Sequence, residues 1–466
     1  MKKIVVDPVT RIEGHARIVL DTDDAGRVVR GHLQVLEIRG FEKLLEGMEL
    51  FKMPLITGRI CGVCPAAHHI ASVNAIETGL GAKIPRDAEL LRELMYMGHI
   101  LHSHALSTFV LTGPDVLGGI GAKPEQRNVF ALLKLEPEAI RKVLRLRSIG
   151  QKTVEIVGGR GVHPVTSIPG GLASRPSKEE LASIAAWGGE ALGIIEELTP
   201  LFMARLADLD ELRGPAVLDF LPAALSNGGK VAYWNAPCVV RNRDGSQERS
   251  FTAREYADNL VEHVLDDSYM KSITLGGNPE KNLFVGPLAR MLVNDGFSTP
   301  KATALLGAFR SRPRNSTLDN LEARLVESVH TAERMAAIAG SELGDGPIRI
   351  ELHPGPGRYI GMVEAPRGIL IHDYTADDAG RISAANLIVA TQGNYDAIDK
   401  SITGMAEHLI GGKDDEKLMN GVEFALRCYD PCLACATHAA GRMPLEIEIR
   451  HRGRLVRSVT RREERA

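Results

Sequence analysis

Between Asp87 and Leu111, the apolar residues Leu90, Leu91, Leu94, Met97 and Leu101 recur mostly three or four positions apart, which predicts one apolar face of a long helix. Pro85 stands just ahead of it, where a helix start tolerates proline. A second helix is marked at its beginning, because Ser177 followed by Glu180 is a capping-box pattern, and its apolar run predicts an end near Leu198. A third, from about Leu318 to Ile338, sets Leu318, Leu321, Leu325, Val329, Ala332 and Ala336 on one side. The β-rich runs are shorter. Ala16–Asp21 and Arg27–Leu36 flank the turn-forming Asp23-Asp24-Ala25-Gly26 and predict a hairpin. Lys230–Val240 and Glu248–Thr252 flank a turn at Asp244-Gly245. Ile348–Leu352, Tyr359–Glu364, Gly368–His372 and Leu387–Ala390 are further strand candidates, and the Gly/Pro-rich stretch His353–Arg358 is a loop. No repeat or low-complexity segment interrupts the chain. The pattern predicts an α+β fold, mainly α, with a large helical-bundle core and small peripheral antiparallel β-sheets, organised as one large domain.

Composition narrows the function classes. With 44% hydrophobic and 25% charged residues over 466 positions, the chain is globular and long enough to bury a core without disulfides. The formal net charge of -3 gives no electrostatic reason to expect nucleic acid. The basic run Arg450–Arg457, followed by Arg461 and Arg462, is read as a solvated face. No stretch approaches the roughly 18 apolar residues of a transmembrane helix. The N-terminal MKKIVVDPVTRIEGH lacks the apolar run of about 7–15 residues that a signal peptide needs. The expected location is therefore cytoplasmic, with no membrane span.

The cysteines carry the chemistry. Six are present, and four form two C-x-x-C pairs, Cys61/Cys64 and Cys432/Cys435, at nearly opposite ends of the chain. This spacing lets two sulfurs face one ion, and two pairs make a four-thiolate cage for a soft metal such as nickel, zinc or iron. A closed structural zinc site is one reading. Zinc ribbons, however, place their pairs about 15–20 residues apart, so a catalytic metal stays open beside it. Cys238 and Cys428 are read as buried free thiols.

The flanks of the two pairs decide between these readings. RICGVCPAAH (Arg59–His68) and DPCLACATH (Asp430–His438) resemble the R-x-C-G-x-C-x-x-x-H and D-P-C-x-x-C-x-x-H motifs of the large, catalytic subunit of nickel–iron hydrogenases, and the resemblance extends through the segments between. It implies a single catalytic domain over residues 1–438 that cleaves dihydrogen reversibly into protons and electrons. All four cysteines would bind nickel, Cys61 and Cys432 terminally, while Cys64 and Cys435 bridge to an iron carrying cyanide and carbon monoxide. Glu13, in RIEGH, matches the glutamate that relays protons from Cys432. Glu42 and His438, with the Leu387 carbonyl, match the ligands of a magnesium ion or a second iron. His68 matches a histidine that hydrogen-bonds a bridging cysteine. Arg367, in EAPRG, matches the arginine above the open metal position, and Asp115 an aspartate that pairs with it. Thr391 matches a hydroxyl on a cyanide; Ala390 replaces the proline usually found before it.

His99, His102 and His104 share the first predicted helix and are read as packing or proton-path residues, and His163 lies in a segment that faces the electron-transfer partner in the family. RGFEKLLEG and SHAL resemble the cytosolic, cofactor-coupled branch of the family, whose electrons go to NAD(P), a deazaflavin, ferredoxin or a heterodisulfide reductase. Four committed cysteines leave too few for a cluster in this chain, so an iron–sulfur small subunit is expected, with further flavin/iron–sulfur subunits beyond it. A maturation protease, acting after nickel-insertion chaperones, is expected to remove residues 439–466, which read as a short hairpin. Two other readings compete: a redox-inert relative of the complex I core subunit, which lacks the cysteines, and a zinc-stapled scaffold.

Overall fold

The structure, a computed structural model, describes residues 2–38, 40–412, 414–437, 445–451 and 454–461. The chain opens with an antiparallel sheet of β1 (Lys2–Val6), β2 (Ala16–Thr22) and β3 (Val28–Val35), in that order. β2 and β3 are the predicted hairpin, and Asp23 closes its turn by accepting from the Ala25 and Arg27 N–H groups. The short α1 (Phe41–Leu45) then leads to the helical core: α2 (Pro65–Gly79), α3 (Arg86–Ala105), α4 (Pro137–Gly158), α5 (Lys178–Ala207) and α6 (Asp319–Ala337). α3 packs on α4 and α6, and α5 packs on the same two helices. Beyond this core, α7 (Tyr395–Leu409) and α8 (Asp415–Arg427) pack on one another, and α7 also covers β3. Among the described residues, no helix is long and apolar enough to cross a membrane.

Three predicted helices are present, two of them with altered ends. α3 stops at Ala105 and continues as a π-helical turn, Leu106–Leu111. α5 carries the predicted capping box, in which Ser177 Oγ accepts from Glu180 N–H and the Glu180 carboxylate accepts from Ser177 N–H. It runs past the predicted end to Ala207 and through Pro200. Proline there loses one hydrogen bond, yet Phe202 and Leu206 stay buried and hold the last turns down. α2 escapes the periodicity search because it is buried on every side from Pro65 to Glu77, so it has no polar stripe to mark its phase.

The strand candidates fare less evenly. β4 (Leu221–Asn227), β5 (Cys238–Arg241) and β6 (Gln247–Phe251) lie side by side, with Leu283–Phe284 on the far edge of β4. The predicted strand over Lys230–Val240 is broken into Lys230–Val231 and β5, because Asn235 adopts a positive φ of 53° and Pro237 lacks an N–H. Ile348–Leu352 is not a strand. Its backbone pairs only briefly with the tight turn at Gly170 and Gly171, which offers too short an edge. β7 (Gly357–Ala365), β8 (Gly368–Ala376) and β9 (Ile382–Ile388) form the antiparallel sheet that carries the site. β9 ends before the predicted Ala390, because the Gln392 side chain takes the Val389 N–H and turns the chain. Towards the C-terminus, β10 (Leu445–His451) and β11 (Arg454–Arg461) pair antiparallel as the expected hairpin.

β7 lies directly against α2. A Cβ on Gly361 would stand 2.4 Å from the Ala71 carbonyl oxygen and 2.5 Å from the Ala75 nitrogen. Backbone cannot yield there as a flexible side chain can. Gly361→Ala is therefore expected to destabilise the fold by about 1–3 kcal/mol, the usual effect of overpacking, seen as a lower thermal midpoint. An unchanged midpoint would contradict this contact.

Candidate metal centre

The four predicted sulfurs meet, although most of the chain separates the two pairs. Cys61 and Cys64 lie in the turn that enters α2, with Cys64 at its N-cap and Pro65 just inside. Cys432 is the N-cap of α9 (Leu433–Ala436), and Cys435 sits within that helix. Cys61 and Cys432 Sγ are 3.2 Å apart, Cys64 and Cys435 3.3 Å, and Cys432 and Cys435 2.9 Å. All four side chains are buried, and their sulfurs lie within 4.8 Å of one another. These are contacts and not disulfides, whose sulfurs stand about 2.05 Å apart.

Such a set calls for a cation. Hydrogen bonds from Cys432 and the other thiols, helped by the charge of Arg367, hold the Cys61 thiol well below its ordinary pKa. Burial pushes Cys432 and Cys435 well above theirs. Four thiolates so close in a dry interior need a metal's charge to coexist. The donor set is soft, and beside it lies a cavity of about 20 Å³ lined by Cys64, Cys432, Cys435, Arg367, Ala390 and Thr391. A structural zinc site is closed, whereas a catalytic metal keeps an open position. The residues present thus fit a nickel–iron pair with room for a small reactant.

The N-terminal segment reaches the centre through Glu13. Glu13 Oε2 is 3.2 Å from Cys432 Sγ and accepts the Ala434 N–H at 2.9 Å, while the Glu13 carbonyl accepts the Leu433 N–H at 3.1 Å. The approach depends on Gly14: its φ is +83°, and a Cβ there would stand 2.8 Å from Leu433 Cβ. Burial raises the pKa of the Glu13 carboxyl and the nearby Cys61 adds to it, outweighing the Ala434 N–H and Cys432 bonds that oppose it.

One predicted pairing is corrected. Asp115 does not meet Arg367. It is fully buried in the short helix Gly113–Gly118 just after the π-helical turn, where it binds Arg11 (2.6 Å), Arg127 (2.9 Å) and Arg427 (3.0 Å) and so ties the N-terminal segment to α8. Arg367, in the β7–β8 turn, pairs with Asp430: its Nε donates to the Asp430 carbonyl at 2.7 Å and its Nη2 to Oδ1 at 3.0 Å. The physical reason is the left-handed turn at Asp430 (φ 55°), which presents both its carbonyl and its carboxylate to one guanidinium. Arg367 Nη1 is buried without a partner among the described residues. Burial alone would lower the Arg367 pKa, but Asp430 and the cysteines outweigh it and keep the guanidinium charged.

The remaining candidates are mostly in reach. His68 Nε2 is 3.3 Å from Cys435 Sγ. Thr391 Oγ1 accepts the Cys432 N–H at 3.0 Å, which leaves its own hydrogen to donate elsewhere. Glu42, on α1, and Leu387, on β9, lie on elements that pack together, whereas His438 lies outside the described residues. His99, His102 and His104 are all buried, and His104 Nε2 bonds Glu327 at 2.7 Å. His163 bonds the Gly58 carbonyl beside the first motif. Cys238 and Cys428 are free and buried, as expected. Sequence reasoning missed Asp430 as the Arg367 partner, and also missed His372 and Tyr374 behind His68. The only signal for the first was its place two residues before Cys432. For the others it was their alternation on a strand next to EAPRG.

Comparison with known proteins agrees with this geometry. A family profile described as nickel-dependent hydrogenase matches residues 39–127 and 216–438, and one described as HoxL-like matches residues 3–38. The chain is 36% identical, over 88% of its length and 99% of the relative, to the vhu-type F420-non-reducing hydrogenase chain of Methanococcus voltae. It is 35% identical to the beta chain of the NAD-reducing hydrogenase HoxS of Cupriavidus necator, over 96% of this chain and 97% of that one. It superposes with a TM-score of 0.90 on a chain of an NAD+-reducing nickel–iron hydrogenase in the H2-reduced state, at 33% identity over 94% of this chain and 100% of that one. The retained cysteines exclude the redox-inert reading, and the match runs through the segments that build the thiolate cage and its cavity. The chain belongs to the nickel-dependent hydrogenase family, as its catalytic large subunit.

Proposed function

We propose that Glu13 takes up the proton set free beside Cys432 when dihydrogen is split at a nickel–iron pair held by Cys61, Cys64, Cys432 and Cys435. The observation that carries this reading is the 3.2 Å approach of Glu13 Oε2 to Cys432 Sγ. Bound in the cage, nickel and iron, the iron carrying cyanide and carbon monoxide, supply an electron-accepting position that polarises the H–H bond for heterolytic cleavage. The Cys432 sulfur is a basic group at that position and accepts the first proton. Glu13 is the next acceptor, and burial, by raising its pKa, makes it a better proton acceptor than an exposed glutamate. Arg367 keeps a fixed positive charge on the cavity wall, held by Asp430, and Thr391 offers a hydroxyl on the same wall; both suit anionic cyanide.

Each dihydrogen yields two protons and two electrons, and the electrons need an exit. Cys238 and Cys428 sit in separate apolar clusters, so neither can help ligate an iron–sulfur cluster with the other. This supports a first acceptor in an iron–sulfur small subunit, then flavin/iron–sulfur subunits that pass electrons to NAD(P) or ferredoxin in the cytoplasm. Glu42, the Leu387 carbonyl and His438 would hold magnesium, or a second iron, behind the cage. Nickel-insertion chaperones and a protease cutting after His438 would complete maturation and remove residues 439–466; a mass matching a chain that ends at His438 in active enzyme tests this.

Metal analysis tests the reading as a whole. The matured complex is expected to contain nickel and iron and to show infrared bands of cyanide and carbon monoxide. Zinc alone in matured protein overturns it.

A further inference from the structure

Behind the sulfur of Cys435, an unbroken run of buried side chains leads away from the cage. His68 Nε2 is 3.3 Å from Cys435 Sγ, and His68 Nδ1 is 3.0 Å from His372 Nε2. His372 Nδ1 is 2.5 Å from the Tyr374 hydroxyl, which in turn lies 3.3 Å from Ser72 Oγ. His68, His372, Tyr374 and Ser72 are each no more than 1% exposed. The run follows from two periodicities. His372 and Tyr374 are alternate residues of β8 and share a face. His68 and Ser72 are one turn apart on α2, which packs on that face.

Hydrogen bookkeeping leaves two ways to fill this chain. Burial depresses the pKa of His372 well below the ordinary imidazole value, so that ring is neutral and carries a single N–H. With one N–H on each ring, all the hydrogens can point towards the sulfur or all away from it. Pointing away requires an S–H donor at Cys435. A metal-bound thiolate has none, so only the first arrangement satisfies the contacts from Tyr374 to Cys435, and it takes the Tyr374 hydrogen from Ser72 for His372. Tyr374 O–H then donates to His372 Nδ1, His372 Nε2–H to His68 Nδ1, and His68 Nε2–H to the thiolate. No group gains or loses a proton.

We infer that His372 and Tyr374 are positioning residues that lock His68 as an Nε2–H donor to the Cys435 thiolate. The inference rests on the reading of Cys435 as a metal-bound thiolate. Its consequence is electronic: a thiolate that accepts a hydrogen bond donates less to its metals.

Two measurements test it. In the full chain loaded with zinc and labelled with nitrogen-15 histidine, ring-nitrogen shifts distinguish protonated from bare nitrogens. His68 and His372 are both expected with protonated Nε2 and bare Nδ1. Tyr374→Phe is expected to release the tautomer of His372, and His372→Leu that of His68. His372→Gln keeps an amide donor near the Nε2 position and is expected to restore His68. Tyr374→Phe deletes a single oxygen and carries the test if His372→Leu does not fold. In matured enzyme, Tyr374→Phe and His372→Leu are expected to move the carbon monoxide band to lower wavenumber, while His372→Gln leaves it near the wild-type position. A wild-type His68 protonated on Nδ1, or a His68 indifferent to both Tyr374→Phe and His372→Leu, overturns the inference. If the zinc-loaded chain shows the expected tautomers but matured protein shows no cyanide or carbon monoxide bands, the nickel–iron reading fails and the hydrogen-bond chain stands.

Discussion

Glu13→Gln is expected to slow dihydrogen oxidation by a factor of about 10²–10⁴, the usual contribution of a positioned proton acceptor, while leaving the metal centre filled. The substitution is nearly isosteric. A glutamine oxygen can still accept the Ala434 N–H that Glu13 Oε2 accepts at 2.9 Å, so α9 should keep its place. What disappears is the group that can receive a proton 3.2 Å from Cys432 Sγ. Turnover with an artificial electron acceptor, normalised to bound nickel, measures the loss. Isotope exchange between dihydrogen and heavy water should fall in parallel, because it needs the same exit for protons. Wild-type turnover in a nickel-replete variant would remove Glu13 from the proton route.

The second large effect concerns stability. Arg290 is completely buried and faces two buried carboxylates. Its Nε and Nη2 bind Glu327 at 2.8 and 2.6 Å, and its Nη1 binds Glu364 at 2.8 Å. The same guanidinium donates to the Ala365 and Pro366 carbonyls, immediately before Arg367. Arg290→Met is expected to destabilise the protein by about 3–5 kcal/mol, the range for stranding a buried charge. It should also loosen the turn that carries Arg367. A thermal midpoint within a degree or two of wild type would contradict this.

The cluster also sets a pH dependence. Burial would raise Glu327, but the charge of Arg290 and the His104 bond outweigh it and hold that carboxyl well below the usual range. Burial pushes Glu364 up to about 7, against one Arg290 bond and the Leu225 N–H. A carboxyl raised on folding favours the folded state most when protonated in both states. Its contribution is therefore complete below the ordinary value of 4.5 and is lost as pH rises through about 7. The thermal midpoint should fall over that window, and Glu364→Gln should flatten the fall. An identical pH profile in the variant would place the titration elsewhere.

Local pattern was legible where one face of an element meets solvent or where a cap marks its end. The β2–β3 hairpin has such a face and α5 has its Ser177–Glu180 box, while α3 and α6 are almost wholly buried and stayed legible because polar residues, such as Arg92 and Glu327 in buried ion pairs, still break their apolar runs. Pattern failed for α2, one of the elements against which the cage is built, whereas Tyr359–Glu364 and Gly368–His372 marked the β7–β8 hairpin beside it. In α2, burial on all sides erases the alternation that would mark the helix. Composition likewise could not distinguish Ile348–Leu352, which reads as a strand but finds only a turn to pair with.

At the site, the chain's own order of residues singled out the four cysteines that the fold brings together. Two C-x-x-C pairs with Arg59, His68, Asp430 and Pro431 around them name a soft-metal site and its family before any fold is known. Spacing of that kind is local chemistry, and it survives in one dimension. The tertiary structure decided the partners. Asp430 rather than Asp115 holds Arg367, because a left-handed turn near the end of the chain meets a hairpin more than sixty residues earlier. Asp115 instead gathers three guanidiniums from distant segments. His372 and Tyr374 reach Cys435 only through His68, across the contact between β8 and α2. Pairings of this kind depend on which surfaces are pressed together when the core excludes water. That is a property of the packed chain, and no run of neighbouring residues records it.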